Sequence, residues 1–188
     1  YDKEQVITMP YYSEVNNNYD AFYNELTKSS AVINVARSSR VPTGRLLDSY
    51  GSTRALKGDS LVHISSDFKT ITTDPEFFNT YGIGVTLGRA FSKEIATDDS
   101  LAFIINKAAL EEIGWDNPID YLDREFEYAG VKGKLVGVVE DFHFESLHQE
   151  IRPMIFLQSN NYKVLSLKVD QSKMQEGIAH IEKVWKQF

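Results

Sequence analysis

Apolar positions recur along the chain in short runs with two different periods, and these runs predict an alternation of strands and helices. "QVITMP" reads as the first strand, stopped by Pro10. A helix follows over about residues 17–29, where Tyr19, Phe22, Tyr23 and Leu26 fall on one face. "VINVARSS" (32–39) reads as a strand, "RVPTGRLLDSYGS" as a loop, and "SLVHISSDF" (60–68) as a half-buried strand. "TTDPEFFNTYGI" carries helix punctuation: Asp74 or Thr73 as cap, Pro75 in the first turn and Gly82 as the stop. A short helix is expected from Asn106 to Gly114. "EFEYAGVKGKLVGVV" predicts a hairpin turned at Gly130–Gly133, with a second arm buried on both faces. "KVLSLKVD" (163–170) is a strand, after which Ser172 and Gln175 have capping-box spacing. Met174, Ile178, Ile181, Trp185 and Phe188 then form the apolar stripe of a last helix.

In order, the two ends read βαβ … βα around some 120 strand-rich residues. The pattern predicts an α+β fold: a split, ferredoxin-like βαβ…βα lobe with an inserted, mainly β lobe carrying short helices. The expected boundaries are 1–42 with 160–188 for the first lobe and 43–159 for the insert. A βαββαβ unit would take its last strand from beyond Phe188. The chain opens at Tyr1 and stops inside an amphipathic pattern, so it is expected to be an excised piece of a longer protein.

Composition narrows the function classes. The 188 residues include 20 Lys plus Arg against 27 Asp plus Glu, a net charge of −7, and no cysteine. That balance argues against general nucleic-acid binding, which needs a dense basic surface. It gives no support for docking on anionic lipid. Without cysteine there are no disulfides, thiolate metal sites or thiol nucleophile. No segment reaches the ~18–20 apolar residues of a membrane span.

The stretch "GVVEDFHFESLHQEIRP" (137–153) gathers the densest chemistry. As a metal site it would use His143 and His148 with Asp141, Glu145 and Glu150, but the five-residue spacing misses the i, i+4 pairing of helical zinc ligands. As a catalytic site it would draw on Glu140, Asp141, Glu145 and Glu150, none of which the sequence singles out as acid or base. No phosphate loop and no G-x-S-x-G occurs. The structural reading accounts for more: Leu135–Val139 is a core strand, and Phe142 and Phe144 share one face of its extension, opposite His143 and Glu145. Pro153 then fixes the chain before "MIFL". Elsewhere, His63 reads as a strand-face residue, His180 as solvated, and Asp98–Asp99 and the 120–127 cluster as exposed loop charge. Tyr11, Tyr12, Tyr19 and Tyr23 read as core packing with wet hydroxyls.

"GVVEDFHFESLHQEIRPMIF" resembles a stretch of the MacB-like periplasmic core domain in FtsX-like ABC transporter permeases of Gram-negative bacteria. The resemblance extends through "DPEFFNTYGI", "LGRAFS" and "DDSLAFIINKAALEEIGW" in the family's order, and "YDKEQVITMP" looks like the segment after its preceding membrane helix. "NPIDYLDREF" departs from the family's Pro-Ile-Gly turn, with Asp120 in place of the glycine.

The resemblance implies a periplasmic domain between two membrane helices of an inner-membrane protein, with a porter-like lobe and an inserted β-rich lobe. It implies no cofactor and no catalytic residues, since ATP would be hydrolysed by a cytoplasmic ABC ATPase subunit or domain. Asp141, Phe142, His143, Phe144, Glu145, Ser146, Leu147 and His148 then form a structural or interaction motif. Besides the ATPase, a second permease copy and a periplasmic partner or substrate are candidate partners. The domain would relay ATP-driven motion across the membrane. Two other classes stand beside this one: an extracytoplasmic ligand-sensing domain of a receptor, marked by a pocket of convergent polar groups, and a small hydrolase or metalloprotein using His143 and His148.

Overall fold

A computed structural model describes residues 6–42, 51–144 and 150–188. Strand β1 (Val6–Pro10) leads into helices α1 (Ser13–Asn17) and α2 (Tyr19–Leu26), then β2 (Val32–Ser38). Next come β3 (Thr53–Lys57), β4 (Ser60–Ile64), β5 (Lys69–Thr72), α3 (Phe77–Tyr81) and β6 (Val85–Gly88). They are followed by α4 (Asp98–Leu101), β7 (Ala102–Asn106), α5 (Lys107–Ile113), β8 (Glu125–Tyr128) and β9 (Val131–Val139). The chain ends with β10 (Met154–Leu157), β11 (Val164–Val169) and α6 (Met174–Trp185).

The ends of the chain supply one sheet of order β1-β11-β2, antiparallel throughout, with Leu167 of β11 facing Ile7 on one side and Val35 on the other. Alternation along the strands explains how both faces are covered. Val35, Leu165, Leu167 and Val169 point to α2 and α6, where Phe22, Leu26, Ile181 and Val184 complete a buried cluster. Ala36 and Ser166 point the other way, toward α3.

The middle of the chain forms a larger sheet of order β4-β3-β8-β9-β7-β10-β5. One edge of the long strand β9 is divided between two partners: β8 along Val131–Lys134 and β6 along Gly137–Val139. Its other edge pairs parallel with β7. The inner strands read as near-continuous apolar runs because neither face meets water. Val136, Ile104 and Phe156 pack under α3 on one side, while Leu135, Phe103, Ile105 and Ile155 pack under α5 and β3 on the other.

The α+β architecture matches the sequence pattern, and several local expectations need correction. The helix expected over 17–29 is two short helices broken at Asn18. The strand expected over 60–68 ends at Ile64, and β3, β5, β6 and β7 are strands that the sequence pattern did not mark. The hairpin turns at Ala129–Gly130, both with positive φ (52° and 81°), as a two-residue turn of this hand requires. Gly133 lies within β9 instead, where an added Cβ would come 2.2 Å from the Leu101 carbonyl oxygen. No Ser172–Gln175 capping box forms; Asp170 accepts from the Ser172 N–H and caps a 3-10 turn before α6. The buried face of α6 is Gly177, Ile181 and Val184, leaving Ile178 40% exposed, because Gly177 lets the helix approach Val169.

Candidate functional site: the joint between the sheets and the exit of β9

The end of β2 belongs to both sheets. On one side the Lys163 N–H donates to the Ser38 carbonyl, continuing the β11 ladder. On the other, Ser38 bridges Thr73, the Ser39 N–H donates to the Thr72 carbonyl, and the Asp74 N–H donates to the Arg37 carbonyl while the Arg37 N–H donates to the Asp74 carboxylate. The Thr73 N–H in turn donates to Leu157 at the end of β10. Backbone hydrogen bonds therefore run without a break from β10 through Thr73 and Ser38 to β11. These bonds pair backbone groups that burial would otherwise leave unsatisfied, so the two sheets are joined through the main chain and not only through side chains. Side chains reinforce this joint: the Tyr81 and Ser166 hydroxyls meet at 2.7 Å, and the Asn34 amide donates to Glu76 at 3.2 Å.

Charge is concentrated at the same place. Asp74, 1% exposed, accepts from the Arg37 backbone N–H at 2.9 Å and from its Nε at 3.4 Å. Burial pushes the Asp74 carboxyl up to about 6, against the pull of Arg37 in the opposite direction. The Arg37 guanidinium lies over the rings of Tyr19 and Tyr162, 3.5 and 4.6 Å from their centroids, and donates to the Tyr11 hydroxyl. Desolvation raises the pKa of all three phenols. Of the tyrosine run only Tyr11 and Tyr19, joined by Tyr162, surround the half-buried guanidinium; Tyr12 is 53% exposed rather than core, and the Tyr19 hydroxyl is buried rather than wet.

The motif after β9 occupies a second junction. Asp141 accepts from the Ala108 N–H at 2.9 Å, satisfying a first-turn donor of α5. Phe142 and Phe144, 7% and 4% exposed, turn inward beside Phe156 and the α3 aromatics. His143 between them is half-buried. Glu145, Ser146, Leu147 and His148 lie outside the described residues, and with them the His143–His148 pairing. Asn106 holds the far side of the exit: its amide oxygen accepts from Ala109 and Met154, and its amide nitrogen donates to the Arg152 carbonyl.

The remaining candidates scatter. His63 is exposed on β4. His180 is half-buried rather than fully solvated and makes a 2.9 Å contact with the Glu25 carbonyl, tying α6 to α2. Asp98 is not loop charge either. It is 1% exposed, bound by both terminal nitrogens of Arg89 and by the Ser92 N–H. Glu127 from the 120–127 cluster is also buried, 3.5 Å from Arg54. Sequence periodicity missed these because a buried ion pair breaks the apolar pattern that marks a core. Among the described residues no three His, Asp or Glu side chains cluster as metal ligands, and no helix is long and apolar enough to cross a membrane.

No protein-family model matches the chain, and no curated protein matches it. Solved structures do. The periplasmic region of MacB from Actinobacillus actinomycetemcomitans aligns with 96% of this chain and 83% of its own, at 12% identity and a TM-score of 0.56. The extracellular domain of the noncanonic ABC-type transporter YknZ from Gram-positive bacteria aligns with 92% of this chain and 86% of its own, at 16% identity and a TM-score of 0.53. The split sheet, the inserted larger sheet and these alignments agree: the chain has the fold of a MacB-like periplasmic domain.

Proposed function

We propose that this chain is an extracytoplasmic domain of an ABC transporter permease, held on the periplasmic side of the inner membrane. In this reading it performs no chemistry, and relays motion driven by a cytoplasmic ABC ATPase to substrate export or to a periplasmic partner. The likeness to the periplasmic region of MacB over 96% of the chain carries the proposal. The joint supports it mechanically. A relay must transmit displacement without absorbing it, and the hydrogen-bonded path from β10 through Ser38 to β11 is a continuous main-chain link of that kind.

The two lobes, 1–42 with 160–188 and 43–159, would then move together as one lever, coupled through this joint. All three strands of the small sheet come from the first set of residues and all strands of the larger sheet from the second. The segment Asp141–His148 would anchor the exit of β9 and present its outer residues to a partner.

The test uses the full-length protein reconstituted with its ATPase in proteoliposomes. Tyr81→Ala opens a gap at the joint and should uncouple ATP hydrolysis from export while hydrolysis itself continues. Folding is checked by near-UV circular dichroism. Export unchanged in a folded Tyr81→Ala protein would overturn the lever. A full-length protein that neither inserts in membranes nor associates with an ATPase would overturn the assignment.

A further inference from the structure

β4 closes the larger sheet at one edge: its inner side pairs with β3, and among the described residues no strand covers its outer side. The direction of its main-chain groups follows from β3. The Leu56 carbonyl accepts from the Trp115 indole at 2.6 Å and the Ser52 carbonyl from the Ala129 N–H, so positions 52, 54 and 56 turn their backbone away from β4. Opposite residues of an antiparallel pair either exchange both hydrogen bonds or face away from each other. Leu61 and His63, which oppose Leu56 and Arg54, therefore aim their N–H and C=O groups outward. Arg54 donates to the Leu61 carbonyl at 3.2 Å, which leaves that oxygen a second lone pair.

An open edge of this kind is a template for another strand, and natural sheets block it with Lys, Pro or a bulge. β1, at the edge of the small sheet, ends on Pro10. β4 has no such block: Ser60–Ile64 reads SLVHI, without charge, proline or a register shift against β3. Leu61 and Val62 are only half-buried and His63 is exposed.

The strand that suits this edge is a second copy of itself. The two outward residues flank Val62, so a two-fold axis at Val62 sets Leu61 opposite the partner's His63, and the reverse. Each of these pairs exchanges two hydrogen bonds, which uses every outward group of both strands. No charged residue lies on the ladder, so no like charges come opposite each other. Val62 meets the partner's Val62 on the axis as a non-hydrogen-bonded pair, with Cα atoms about 4.5 Å apart.

We infer that two copies of the chain pair antiparallel through β4, about a two-fold axis at Val62, and join their larger sheets into one. The inference stands on the sheet edge and does not depend on the transport reading. A five-residue edge buries far less than the ~1,200 Å² of a stable interface, so this dimer is weak and transient.

The chain has no cysteine, so a single introduced one reports the register. Val62→Cys should form a disulfide dimer on mild oxidation of the 188-residue chain, because the Cα separation falls in the disulfide range of about 4.4–6.8 Å. Asp59→Cys, on the fully exposed β3–β4 turn, offers the more accessible thiol and wins if copies meet at random. Val62→Cys should cross-link at least about tenfold faster than Asp59→Cys. His63→Pro removes an outward N–H and no bond to β3. Val62→Cys/His63→Pro should therefore melt like Val62→Cys and cross-link at least about tenfold more slowly. Should it melt lower, His63→Lys takes its place, keeping the N–H and setting two ammonium groups near the axis. Sedimentation of the parent should show a dimer fraction that grows with concentration up to about 1 mM. Cross-linking of Val62→Cys no faster than Asp59→Cys, undiminished cross-linking after the change at position 63, or a parent still monomeric at about 1 mM would each overturn the inference.

Discussion

The hydroxyls of Tyr81 and Ser166 meet at 2.7 Å inside the molecule, although 85 positions separate them in sequence. Tyr81 belongs to the inserted part of the chain and Ser166 to the central strand of the small sheet, so this one hydrogen bond spans both. Tyr81→Phe keeps the ring and strands the Ser166 hydroxyl, which should cost about 1–3 kcal/mol in urea unfolding. Adding Ser166→Ala to Tyr81→Phe should cost less than the sum of the two single changes, the mark of a direct coupling. Strict additivity would show that the contact is energetically empty.

Phe142 and Phe144 are buried within one aromatic cluster with Phe156, whereas His143 between them is only half-buried. Truncating either phenylalanine should destabilise the chain by about 3–5 kcal/mol, and His143→Ala by about 1 kcal/mol or less. Parent-like unfolding of both Phe→Ala variants would make the segment a recognition surface rather than an anchor.

Asn106 joins three segments through one fully buried side chain: it caps α5 and pins the chain at Arg152 and Met154. Asn106→Ala removes the cap, leaves the buried Met154 N–H unpaired and releases the Arg152 carbonyl, at a cost of about 2–3 kcal/mol. Hydrogen exchange should accelerate first at the start of β10. Exchange accelerated uniformly over the chain would mean that Asn106 acts only through global stability.

The strands of the small sheet were legible because apolar runs of four to six residues have one economical use, burial in a sheet. In the larger sheet β4, β8, β9 and β10 were legible, while β3, β5, β6 and β7 were not, β5 and β6 being only four residues long and β7 running directly into α5. The two-faced burial of β9 followed from "LVGVV" alone. Less legible was anything decided by close approach. Gly177 rotates the buried face of α6 away from Ile178, and a hydrophobic count cannot register a residue with no side chain. The joint was illegible for a different reason. Arg37 and Asp74 look like surface charges in their own segments, and only the pairing of Ser38 with Thr73 brings them together in the interior. At the β9 exit the sequence placed the two phenylalanines on one face, but it held no sign that Asp141 would cap a helix beginning 34 residues earlier.

Asp74 makes the stability of the chain depend on pH in a direction opposite to most carboxylates. Its carboxyl is buried and pushed up to about 6, while in the unfolded chain it titrates near the ordinary value of about 3.9. Between these values the folded chain holds a proton that the unfolded chain has released. The contribution of this group is therefore fully present below pH ~4 and is lost as the pH rises through ~6. Two units of displacement, the net of burial and the opposing pull of Arg37, correspond to about 2–3 kcal/mol. Asp74→Asn removes the titration and leaves the other carboxylates in place. Urea unfolding of the parent and of Asp74→Asn from pH 4 to pH 7.5 isolates the effect: the parent should lose stability relative to the variant as the pH rises, mostly between pH ~4 and ~6. A parent that instead gains on the variant over that range would mean that the Arg37 ion pair outweighs desolvation, and that Asp74 is charged throughout.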